Sequence, residues 1–248
     1  MPYILKTRVD PINYKEATQK IIEWAEKEKS RYVCAATVHM VMEAFDSEEF
    51  CQVVNNADLV TADGMPLVWM LRLLGHKRQE RCCGPELILW VNKAAAEKGI
   101  PVGFYGSTPE VLQDLKKNLL QKFPKLKIVY MYSPPFRPLL PEEEKQIIKE
   151  INQSGARILF VGLGCPKQER WMARHRGKIR AVMLGVGAAF DFHAGHKPIA
   201  PKWMQNLGLE WLFRLCCEPR RLWRRYLYHN PRFLYYAFQQ IIFKKQFI

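Results

Sequence analysis

A carboxylate at the end of a buried strand is a placed base, and Asp63 has that position. It closes the apolar run DLVTAD, and Gly64 and Pro66 then stop the strand and open a helix. Such a group is partly desolvated and can accept a proton from an attacking hydroxyl. An Asp at a strand-to-helix junction also serves as a helix cap, and the spacing alone leaves both roles open. The run RYVCAATV delivers Thr37 and His39 at its exit. On a parallel neighbouring strand these two are expected to face Asp63. Thr37 brings a hydroxyl that can orient the nucleophile; His39 brings a ring that can contact a ligand, although an isolated histidine often serves structure only.

A second constellation lies between Ala156 and Gly195. The runs ILFVGLG and AVMLGVGAAF have no polar alternation and are joined by PKQERWMARHR, so they read as buried parallel strands of a βαβ unit. The first ends in Gly162 and Gly164, the second in Gly185 and Gly187. Glycine lets the backbone approach a ligand closely, and a following helix N-terminus offers N–H groups to a phosphate. In open sheets of this kind ligands sit beyond the carboxyl ends of the strands. Gln168 would add an amide donor there, whereas Glu169 would repel a phosphate and reads equally well as a first-turn helix charge. Asp191 can accept from a base N–H or ribose hydroxyls, or bond its own turn. Gly106 ends a further strand, VGFYG, and Phe136 in the loop PPFRPLLP can stack on a base or plug a core. Gly84 and Glu86 open the helix GPELILWVNKAAAEKG, where an early carboxylate suits the helix dipole.

The elements that must position these residues alternate along the chain. YKEATQKIIEWAEKEK is an amphipathic helix, and one helix is expected from Met40 to Val54 between the first two strands. Ser107 and Thr108 stand ready to cap PEVLQDLKKNLLQKF, and EEEKQIIKEINQSG starts with acids. Six strands alternating with helices predict an α/β fold, a Rossmann-like, mainly parallel sheet with helices on both faces. After about Pro198 only helical pattern remains. Residues 1–197 are therefore expected to form the α/β domain and 198–248 a helical appendage.

Composition narrows the field. The 248 residues are 48% hydrophobic, enough for a sizeable core, and the net charge is +14. Residues 201–248 carry nine Lys or Arg against two Glu, half of that excess, with 12 of the 30 aromatic residues. Within EPRRLWRRYL, Arg220, Arg221, Arg224 and Arg225 form a broad basic face beside Trp223 and Tyr226, with Arg214 one helix earlier. A basic, aromatic-rich segment implies an anionic partner, and its pattern is that of an interfacial helix. No run approaches the ~20 apolar residues needed to cross a bilayer, and the start, MPYILKTRVDPINYKEA, does not read as a signal peptide. The seven cysteines, with adjacent pairs Cys82–Cys83 and Cys216–Cys217, read as reduced thiols; no Cys/His spacing suggests zinc and no DxD pair suggests another metal. A nucleotide-sugar dehydrogenase or epimerase would want GxGxxG after the first strand, and YVCAATVHM has none.

GLGCPKQERW followed by GVGAAFDFHAG resembles the WecG/TagA/CpsF family of bacterial glycosyltransferases (glycosyltransferase family 26). So do TADGMP and EWLFRLCCEPRRLWRRYL, in the family's order and spacing, over about Tyr32 to Leu234. The resemblance implies an inverting, metal-independent enzyme without cofactor. It would move N-acetylmannosamine or its uronic acid from a UDP donor to a polyprenyl-diphosphate-linked N-acetylglucosamine. Asp63 matches the family's general base and Thr37 its threonine segment. The glycine turns with Gln168 and Asp191 would hold UDP, and Arg214, Arg221 and Arg224 would hold the acceptor diphosphate. His39 stands where members often carry Asn, and Glu86, beside Gly84, where they usually carry Asp. The expected partners are the UDP-sugar, the lipid-linked acceptor and an anionic membrane surface, not nucleic acid, with homo-oligomerisation left open. The expected location is cytoplasmic, peripheral at the inner face of the bacterial plasma membrane. A rival reading, a basic membrane- or nucleic-acid-binding module with a non-catalytic α/β core, accounts for the tail but not for the polar residues at successive strand exits.

Overall fold

The computed structural model describes residues 1–244 and Phe247. It opens with an element the sequence did not announce, a hairpin of β1 (Tyr3–Ile4) and β2 (Thr7–Arg8), in which Tyr3 pairs with Arg8 and Ile4 with Thr7. After α1 (Tyr14–Glu26) the apolar runs become strands. These are β3 (Arg31–Ala36), β4 (Leu59–Ala62), β5 (Val102–Gly106), β6 (Ile128–Tyr132), β7 (Ile158–Gly162) and β8 (Val182–Gly185). They form one all-parallel sheet in the order β4-β3-β8-β7-β5-β6, flanked by helices, so the α/β expectation holds. β7 and β8 are buried almost throughout, which is why they read as unbroken apolar runs.

Between β3 and β4 the single expected helix is two, α2 (Val38–Asp46) and α3 (Glu48–Asn55). Ser47 divides them: its extended backbone ends the first, and its hydroxyl accepts from Phe50 N at 3.3 Å to start the second. α4 (Met65–Leu73) follows β4, and α5 (Gly84–Lys98) precedes β5. Thr108 caps α6 (Pro109–Lys122), its Oγ1 accepting from Val111 N. α7 (Pro141–Gln153) begins with Glu142, Glu143 and Glu144, as the dipole favours. α8 (Lys167–His175) joins β7 to β8, and the short α9 (Ala189–Ala194) follows. The helix-only tail consists of α10 (Lys202–Asn206), α11 (Glu210–Cys217) and α12 (Pro219–Ile242).

The chain divides into two compact units. The first is drawn from Met1–Asn13, Ala35–Cys83 and the residues from Ile199 onward; the second comprises Tyr14–Cys34 and Gly84–Pro198. In the first unit α12 packs on α2. Its inner stripe, Leu222, Tyr226, Phe233 and Ala237, is buried, and Arg232 grips Asp46 through two hydrogen bonds of 2.6 and 2.8 Å. Gln240 near its end accepts from Leu5 N and donates to Tyr3 O. In the second unit the core is aromatic: Phe104 stacks on Phe160 and meets Phe190 edge-on, while Tyr105 stacks on Trp171.

Candidate active site

In the first unit the structure brings Asp63 and Thr37 together. The chain leaving β4 stays bonded to the end of β3, because Asp63 N and Gly64 N both donate to Ala36 O. Gly64 then passes so near α2 that a Cβ on it would lie 3.7 Å from Val38 N and 3.9 Å from Thr37 Cα. Thr37 is the N-cap of α2, with Oγ1 accepting from Met40 N at 3.3 Å. That bond fixes the hydroxyl and uses only a lone pair, so its O–H remains a donor.

The helix after Asp63 is capped by Gly64, and the Asp63 carboxylate accepts from an arginine that the sequence reading passed over. Arg81 donates from Nε to Asp63 O, and from a terminal nitrogen to Asp63 Oδ1 at 3.1 Å and Glu210 Oε2 at 2.7 Å. Its backbone segment is held against β4, with Cys82 N donating to Ala62 O and the buried Thr61 hydroxyl donating to Cys82 O. Burial works against the Arg81 charge, but the carboxylates of Asp63 and Glu210, with Cys83, outweigh it and push the guanidinium pKa up. What the tail contributes at Asp63 is thus an acid, Glu210 of α11. Of the tail arginines, Arg214 is half-buried on α11, whereas Arg221 and Arg224 are exposed on α12. Arg221 pairs with Glu218 and Arg224 lies over the Trp223 ring. His39 meets Glu43 and His229.

In the second unit the glycine turns are tightly built. A Cβ on Gly106 would lie 2.6 Å from Gly162 O, and one on Gly162 would lie 2.7 Å from the Phe190 ring. Only glycine lets the ends of β5 and β7 approach this closely. Gln168 joins the two turns: its Oε1 accepts from Gly164 N at 3.2 Å and Gly187 N at 3.1 Å, while Nε2 donates to Glu169 Oε1 at 2.7 Å. Gln168 and Glu169 are buried at the start of α8, so Gln168 sets the loops and does not stand free as a surface donor. Asp191 lies in the first turn of α9, 3.6 Å from Lys197 Nζ. Gly84 and Glu86 begin α5, where the His193 ring bonds Pro85 O at 2.6 Å. Phe136 is 91% exposed and plugs no core.

A family model described as Glycosyl transferase WecG/TagA/CpsF family matches residues 2–247. The chain belongs to this family. It is therefore a glycosyltransferase, and the family places it in cell-surface polysaccharide biosynthesis with a sugar donor and a lipid-linked acceptor. Among the described residues no helix is long and apolar enough to cross a membrane.

For this glycosyltransferase the Gln168 bridge has a measurable consequence. Gln168→Ala leaves the Gly164 amide without its side-chain acceptor, at a cost of about 1–3 kcal/mol if it stays buried, and leaves Gly187 N only its longer bond to Val161 O at 3.4 Å. Urea unfolding of the variant should show lower stability. Unchanged stability would mean that the turns hold without the bridge.

Proposed function

We propose that the enzyme transfers N-acetylmannosamine or its uronic acid from UDP to a polyprenyl-diphosphate-linked N-acetylglucosamine, with inversion and without a metal ion in the chemical step. The observation that carries this reading is the placement of Asp63: a residue whose backbone is bonded to the end of the strand that delivers Thr37, with its carboxylate gripped by Arg81. Thr37 orients the acceptor hydroxyl, and Asp63 takes its proton as the oxygen attacks the anomeric carbon. The bond to the diphosphate breaks on the opposite face, and its electron pair leaves with UDP. The hydrogen bond from Arg81 keeps the Asp63 carboxylate from swinging away.

The turns after β7 and β8 suit a diphosphate at Gly164, where a Cβ would meet nothing within 4 Å, and at Gly187, where it would meet only the Gln168 amide at 3.7 Å, so backbone there can lie against phosphate oxygens. Asp191 then serves the uracil or ribose, and the exposed Phe136 stacks on the base. Gly84 and Glu86 contact the sugars, and Arg214, Arg221 and Arg224 neutralise the acceptor diphosphate. The enzyme works peripherally at the inner face of the plasma membrane. The outer face of α12 supports this: Trp223, Leu227, Leu234, Tyr235, Phe238 and Ile242 are exposed beside Arg221 and Arg224, as on an interfacial helix.

A panel of UDP-sugars offered with a short-chain lipid-diphosphate N-acetylglucosamine, read by UDP release, tests the reading. Release is expected with the N-acetylmannosamine donor or its uronic acid and only when acceptor is present. Turnover confined to other donors would overturn the sugar assignment, and no turnover with any lipid-diphosphate would overturn the acceptor.

A further inference from the structure

We propose that His39, Glu43 and His229 form a binding site for one zinc-like transition-metal ion that pins α12 to α2. His39 and Glu43 lie at i and i+4 on α2, and His229 comes from the inner face of α12. Their ligand atoms all lie within 4.8 Å of one another. Glu43 Oε1 is 3.4 Å from His39 Nε2 and 3.4 Å from His229 Nε2.

Those two equal distances are long for hydrogen bonds, for which N···O runs about 2.7–3.2 Å. They fit the ligand-to-ligand edge of a tetrahedral ion, about 3.4 Å when each bond is about 2.05 Å. Two imidazole nitrogens and one carboxylate oxygen, with a fourth position open, are a zinc donor set; calcium and magnesium want six or more oxygens.

The Nδ1 atoms of His39 and His229 are buried and have no hydrogen-bond partner, so no bond fixes either tautomer. An ion on both Nε2 atoms would fix them, with the protons on Nδ1. Of the cations acting on the site, Arg232 is matched by Asp46, while Arg225 opposes an added positive charge. Spacing could not reveal this cluster, because its third member comes from the last helix.

The test uses the full chain, stripped with a chelator and then given Zn²⁺ or Co²⁺. One Zn²⁺ per chain is expected, and saturation at about 100 times Kd should raise Tm by about 5–10 °C. His229→Gln and Glu43→Gln should abolish both effects while leaving the metal-free Tm near the parent's. If His229→Gln does not fold, Glu43→Gln, with a side chain 35% exposed, carries the test. Co²⁺ should give a four-coordinate spectrum without thiolate charge transfer. No zinc-dependent Tm rise in the parent, an equal rise in the variants, or a thiolate band placing the ion on cysteines would each overturn the proposal. UDP release does not enter these readouts, so the site stands or falls independently of the proposed transfer reaction.

Discussion

Replacing Asp63 with asparagine is expected to lower turnover by about 100-fold or more, the scale of general-base catalysis, while UDP binding stays nearly intact. Asparagine has the same shape, and its carbonyl oxygen can still accept from Arg81 in place of Oδ1. The main-chain bond from Arg81 Nε to residue 63 is untouched, and Arg81 keeps Glu210 as a charge partner. The variant should therefore fold, and the loss should appear in kcat. UDP release at saturating substrates, set beside a UDP titration and a melting curve, makes the comparison. A folded variant that turns over like the parent would remove Asp63 as the base.

Charge reversal of the tail is the second large effect. Arg221 and Arg224 are both exposed on α12, so changing the pair to Glu should spare the fold. At about 1 kcal/mol per charge near an anionic surface, reversing two arginines shifts roughly 4 kcal/mol, about a thousandfold in vesicle binding at low salt. Binding should fall by that order on phosphatidylserine vesicles. Turnover on a water-soluble acceptor with a short lipid should fall as well, because the same arginines are proposed to hold the diphosphate. Full activity there would make them anchors only. Deleting the tail is a poorer experiment: it removes Glu210 from Arg81 and strips Leu222, Tyr226 and Phe233 from the first unit, so lost activity would report unfolding.

The strands were legible because parallel strands buried on both faces leave continuous apolar runs, as ILFVG and VMLG do. The break at Ser47 was not, since neither glycine nor proline marks it; the only signal was a capping serine followed by Glu48 and Glu49. Asp63 and Thr37 were legible as candidates because a polar residue at the exit of a buried strand stands out. Arg81 could not, because its partners come from a strand exit and from a helix far along the chain. Gln168 was found, but with the wrong surroundings in view. KQERWMARH is so polar that it reads as surface, yet it buries Gln168, Glu169 and His175. A buried glutamine there is explained by the two glycine amides it must satisfy, and those become visible only once the turns are folded.

The three-part origin of the first unit has a consequence for synthesis. The second unit is complete once Pro198 has emerged from the ribosome, but the first needs the residues from Ile199 onward. Until then α2 lacks the helix that packs on it, and Arg81 lacks Glu210. A nascent chain paused in this interval carries one finished unit and one with bare apolar surface, the kind of state that chaperones hold and that aggregates when they do not. Slow codons before the last helix should therefore cost soluble yield more than slow codons anywhere in Gly84–Pro198.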